Sequence, residues 1–152
     1  MDWNTQLTVL GEILLAMVLG GVIGFEREAA DKPAGLRTHM LIAGAATLMV
    51  FLGSVIIAAY GSGLENNLVS SDPIRVIEAI IVGISFLGAG TIVRQGGKHV
   101  YGLTTAGTVL FTASIGVAVA LQQFAVAIGG TFMMLIVLRV VAGLERRIWG
   151  QE

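Results

Sequence analysis

Residues 100–138 read VYGLTTAGTVLFTASIGVAVALQQFAVAIGGTFMMLIVL, 39 positions without a formal charge. As one α-helix this stretch would extend about 58 Å at ~1.5 Å per residue. A bilayer's hydrocarbon core is only ~30 Å thick, so the stretch must fold back on itself, and the polar pair Gln122-Gln123 is the place for the turn. The same reading extends outward. Residues 7–25 are apolar except for Glu12, residues 38–64 carry no formal charge and end among Gly61, Ser62 and Gly63, and residues 76–93 are interrupted only by Glu78. The expectation is an all-α integral membrane protein, a compact bundle of five transmembrane helices near 6–25, 38–60, 74–93, 103–121 and 124–146 within one transmembrane domain over 1–152. Strands are not expected, because the apolar runs are continuous and lack period-two alternation.

Composition excludes the other classes. The 152-residue chain is 55% hydrophobic and 12% charged, with a mean hydropathy of +0.86, whereas a soluble domain carries about 25% charged residues. It has too little polar surface to coat a water-soluble globule and too little to stay unfolded in water. A net charge of −1 gives no footprint for nucleic acid. The absence of cysteine removes disulfides, thiol catalysis and cysteine-ligated metals.

Basic residues set the expected direction. Arg27, Lys32 and Arg37 lie in the first loop, Arg94 and Lys98 in the third, and Arg146 and Arg147 at the end, while the N-terminus and the Gln122 turn hold none and the second loop holds only Arg75 at its end. Alternate loops are thus basic, which puts the N-terminus outside and the C-terminus in the cytoplasm. The first helix does not read as a signal peptide, because its leading residues are acidic or neutral and Glu12 interrupts it.

Shifting the chain by 67 residues matches Gly21 to Gly88, Arg27 to Arg94, Gly35 to Gly102, Leu36 to Leu103, Thr38 to Thr105 and Ala46 to Ala113. Two readings stand: chance among abundant small residues, or a parallel repeat of helix pairs 1–2 and 3–4 with helix 5 added. Small residues also recur every fourth position, as Ala16, Gly20 and Gly24 on helix 1 and as Thr104, Thr108, Thr112, Gly116 and Ala120 on helix 4. Helix 3 concentrates Gly83, Ser85, Gly88, Ala89 and Gly90. Such rows let helix backbones approach closely in lipid, and they offer more close-packing faces than a small bundle buries, so a homodimer or larger oligomer is expected.

Five fragments occur in order: Gly24-Phe25-Glu26-Arg27-Glu28, Ala34-Gly35-Leu36-Arg37-Thr38-His39, Asp72-Pro73-x-Arg75, Gly83-Ile84-Ser85-Phe86-Leu87-Gly88-Ala89-Gly90 and Gly102-Leu103-Thr104-Thr105-Ala106. Together they resemble the MgtC/SapB family of bacterial inner-membrane proteins across nearly the whole chain. The resemblance implies a hydrophobic domain of several helices in the bacterial inner membrane. It also implies links to survival at low magnesium and inside host cells, to control of the membrane ATP synthase, and to magnesium transport. Ser85 stands where glycine is usual, and Gly107-Thr108-Val109-Leu110 departs from the family's usual alanine-rich continuation. Many members continue into a soluble C-terminal regulatory domain, whereas this sequence stops at Glu152, shortly after helix 5.

The chemistry open to these residues is limited. No Gly-x-Ser-x-Gly, His-Glu-x-x-His or phosphate-cradling lysine motif is present, so no enzyme is expected. His39 and His99, without cysteines, read as interface or loop residues rather than metal ligands. Glu26, Arg27, Glu28, Asp31, Lys32 and Arg37 make either a solvated loop or a salt-bridged cluster with Arg94. Thr38 and Thr105 are placed to cap helices 2 and 4, whose starts can also attract an anion. Glu12 and Glu78, the carboxylates inside spans, must face the protein interior or water. They either pair and hold helices together, Glu78 with Arg75 one turn away, or form with Asp72 a shallow Mg²⁺ site. Arg139 snorkels to the cytoplasmic end or meets the loop acids. Two functions follow: a non-enzymatic regulator acting through other inner-membrane proteins in magnesium adaptation, or a transporter or channel for magnesium or another cation. The partners expected are membrane lipid, a second copy and other inner-membrane proteins.

Overall fold

The computed structural model describes residues 2–60, 73–95 and 99–148. It contains α1 (Trp3–Ala29), α2 (Leu36–Tyr60), α3 (Pro73–Gly90), β1 (Val93–Gln95), β2 (His99–Tyr101), α4 (Leu103–Ala120) and α5 (Phe124–Ile136). A π-helical turn (Val137–Val141) and α6 (Ala142–Ile148) continue α5. Five helices are long and apolar enough to cross a membrane, the fifth running Phe124–Val141 through the π-turn. Large apolar side chains such as Leu14, Leu41, Met49, Phe86, Phe132 and Met133 point outward, the arrangement a lipid solvent favours and water does not.

Two differences from the sequence reading have physical causes. The 94–102 connection holds a small antiparallel hairpin in which Val93 faces Tyr101 and Gln95 faces His99, a ribbon outside the continuous apolar runs. Helix α1 runs to Ala29 rather than 25, so Glu26 and Arg27 are helical residues, not loop residues. The helix stops only where Asp31 adopts φ 54°. There the Asp31 N–H donates to the Glu28 carbonyl and the Lys32 N–H to the Arg27 carbonyl, closing a Schellman motif that satisfies the last carbonyls. Helix α4 ends the same way at the expected turn: Gln122 has φ 57°, its N–H reaches the Val119 carbonyl, and the Gln123 N–H reaches the Ala118 carbonyl.

Helix α4 is central and packs against α1, α2, α3 and α5. The small-residue rows on α1 and α4 meet α2 inside the chain. A Cβ added at Gly20 would lie 2.5 Å from the His39 carbonyl oxygen, one at Gly24 would lie 2.8 Å from that of Gly35, and one at Gly116 would lie 2.2 Å from that of Ala43. Only glycine permits these crossings. One apolar cluster, including Ala16, Ile23, Ala43, Ile115, Val119 and Leu138, joins α1, α2, α4 and the fifth span. A second, including Ile42, Ala46, Ile80, Val109 and Ala113, joins α2, α3 and α4. Helices α2 and α4 begin at Leu36 and Leu103, the offset at which the sequence matches itself.

Candidate functional site

At the end of the bundle where α1 leaves and α2 and α4 enter, polar side chains are buried together. Residues 26 and 27 are adjacent on α1, where neighbouring side chains ordinarily diverge. Both are nevertheless buried, and the Arg27 Nε and Nη2 groups each approach Glu26 Oε2 at 2.5 Å. This is the one ion pair among the described residues. Glu28 turns the other way, and its Oε2 accepts from the Leu36 N–H at 2.8 Å. A carboxylate from the preceding helix thus satisfies a free amide at the start of α2 and favours the positive end of its dipole. Gly35 lies under this carboxylate, since a Cβ there would come within 2.7 Å of Glu28 Oε2.

His39, 0% exposed, sits one turn into α2. Its Nδ1 lies 2.9 Å from the Gly35 carbonyl oxygen and its Nε2 3.3 Å from Thr108 Oγ1. A carbonyl only accepts, so Nδ1 carries the proton and Nε2 is an acceptor; the one hydroxyl proton of Thr108 is shared between Nε2 and the Thr105 carbonyl, 2.8 Å from Oγ1. Below it, Thr47 Oγ1 donates to the Gly116 carbonyl at 2.9 Å and shares the proton with the Ala43 carbonyl at 3.0 Å. The threonine row of α4 and two polar residues of α2 therefore form a hydrogen-bonded seam. Among the described residues no buried side-chain nitrogen or oxygen lacks a partner.

Several expectations are corrected here. Thr38 and Thr105 do occupy the first turns of their helices, but neither caps: Glu28 takes the Leu36 amide, and α4 has no side-chain cap behind Gly102. Arg75 and Glu78 are both exposed and form no ion pair with each other. A one-turn pair is worth only about 0.2–0.5 kcal/mol, too little to fix two long side chains. His39 is not a loop residue: it lies on α2 with its side chain in the core. Arg37 and Lys32 are exposed, and the side chains of Arg94 and His99 lie outside the described residues. Glu12 is partly buried near the opposite end, where its Oε1 accepts from Gln122 Nε2 at 3.1 Å and ties α1 to the α4–α5 turn. Asp72, the third member of the expected cation site, lies outside the described residues, and no group of three histidine, aspartate or glutamate residues among those described is placed to hold a metal ion. Of the motif glycines on α3, Gly88 touches Ala106, whereas Gly83 and Gly90 face open space beside Phe86, itself 79% exposed. Leu87 is exposed too, as are Pro73, Leu103 and Thr104. The His39–Thr108 contact escaped the sequence reading, although Thr108 lies in the four-residue row on α4 that signals an inward face.

Five spanning helices, an apolar exterior and a polar knot buried at one end define an α-helical membrane protein. Residues 13–147 match the model of the MgtC family, and the chain belongs to that family. It is 36% identical over 142 residues to an Escherichia coli K12 protein named "Putative magnesium transporter YhiD", covering 92% of this chain and 63% of that one. It is 36% identical to SrpB of Synechococcus elongatus over 97% of this chain and 81% of that protein. With MgtC of Salmonella typhimurium it shares 40% identity over 81% of this chain and 48% of the relative. The chain thus spans about three fifths of the length of the first of these and about half that of the last. No solved structure matches it.

Proposed function

We propose that the chain is a non-enzymatic regulator of the bacterial inner membrane, acting in magnesium homeostasis by contacting other membrane proteins. The observation that carries this reading is the outward display of the α3 motif. Gly83 and Gly90 have nothing within 4 Å of an added Cβ, and Val82, Phe86 and Leu87 are exposed beside them. Small residues flanking an exposed aromatic let a helix of another chain pack closely from within lipid. The seam of α1, α2 and α4 supports a rigid body that presents this face, because glycine–backbone contact and internally bonded threonines fill it. The same face accommodates a second copy, and mass measurement in lipid nanodiscs distinguishes a dimer from a monomer. A photo-crosslinking residue at Phe86 should give discrete adducts with other inner-membrane proteins in cells, and one at Leu14 on α1 should not. Adducts of equal yield at both positions would overturn the reading.

A second reading, transport of magnesium, is favoured by the name of the Escherichia coli relative. Glu12, Glu78 and Asp72 would be its cation ligands. Flux measurements separate the two.

A further inference from the structure

The cavity between the end of α1, the start of α4 and the π-turn has a volume of about 1060 Å³. That is just above the ~300–1,000 Å³ typical of small-molecule sites. Among the described residues its charged lining is Arg27, Lys32 and Arg139 against Glu26 and Asp31, a surplus of one positive charge. Glu26 is consumed by Arg27. Neither Lys32 nor Arg139 has an ion-pair partner among the described residues. Arg139 sits within the π-turn of the fifth span, and an arginine at such a position is costly unless it meets water or an anion. Part of the wall around these cations is aliphatic, Leu103, Val137, Leu138 and Val141 lining the same space as Tyr101, Thr104 and Thr105. A free anion would gain nothing from those walls, whereas an amphiphile satisfies both halves of the lining.

We propose that this cavity binds the phosphodiester headgroup of an anionic phospholipid. Arg139 and Lys32 hold the phosphate, and the aliphatic wall takes the first part of the acyl chains. The single negative charge of a phosphodiester matches the surplus of one. Basic pockets between spanning helices bind anionic headgroups by the same balance of charge and depth. The uncapped first turn of α4, which opens on the cavity at Gly102–Thr105, adds amides of the favourable sign.

The test is a retention assay on the purified chain in detergent micelles with equimolar phosphatidylglycerol and phosphatidylcholine, bound lipid being read by mass spectrometry. Phosphatidylglycerol should be retained preferentially. Arg139→Gln and Lys32→Gln should each lower that retention about fivefold, the effect of ~1 kcal/mol per basic residue at a membrane surface. Arg139→Lys should keep most of it. Arg147→Gln, which removes an exposed charge outside the cavity lining, should leave it unchanged. Lys32→Gln, on an exposed turn, serves if Arg139→Gln fails to fold. Equal retention of the two lipids, an equal loss in Arg147→Gln, or displacement of the lipid by inorganic phosphate would overturn the proposal.

Discussion

Glu26 and Arg27 lie buried near the end of α1, and each is stable there only because of the other. Removing one partner from a buried pair leaves an uncompensated charge, a loss of about 3–5 kcal/mol, whereas replacing both with apolar residues is often neutral. Glu26→Gln should therefore destabilise the solubilised protein strongly, and Glu26→Gln combined with Arg27→Met should recover most of the loss in a denaturant titration. Parent-like stability in the single variant would mean that the pair is not closed. Thr108→Val should cost about 1–3 kcal/mol, because His39 Nε2 loses its hydrogen-bond partner in a buried seam. Thr108→Ser should cost less, and thermal unfolding separates the two. Glu26, Arg27, Gly35 and Thr105 were all legible as notable residues from their motifs. Their roles were not, because capping by Glu28 and burial of the ion pair depend on where α1 ends. That end is set by a left-handed aspartate, Asp31, which few sequence rules single out.

Among the elements, α4 and α3 contrast most. The glycine of α4 at position 116 lies against a backbone carbonyl, while that of α3 at position 83 lies in the open. Gly116→Ala should push α2 and α4 apart and lower stability by about 1–3 kcal/mol, the usual cost of overpacking. Gly83→Ala should be neutral or stabilising by up to ~1 kcal/mol, because alanine is the better helix former. Equal losses in the two variants would contradict the packing described. The small-residue rows on α1 and α4 were legible from four-residue spacing, but their partner was not. Spacing names a face without saying whether the next helix belongs to the same chain, and here α2 fills both rows. The π-turn around Arg139 has no sequence signature at all, since aliphatic residues surround the arginine on both sides. The five spans were legible because hydrophobic length against bilayer thickness is a nearly one-dimensional argument.

For the molecule as a whole, the alternation of basic loops predicts an external N-terminus. The chain has no cysteine, so Lys98→Cys and Glu65→Cys each provide a unique thiol. A membrane-impermeant maleimide applied to intact cells should label position 65 and spare position 98, and the reverse pattern would invert the protein. The described fold places Glu12 against Gln122 and fills the space between α1, α2 and α4 with glycine–backbone contacts and bonded threonines. A regulator needs such a body to hold its outer face, and a conduit would have to open it. Magnesium flux into proteoliposomes containing the purified chain decides between them. The account predicts uptake equal to that of protein-free vesicles across a magnesium gradient. Saturable uptake that Glu12→Gln abolishes, while the variant stays folded, would contradict it.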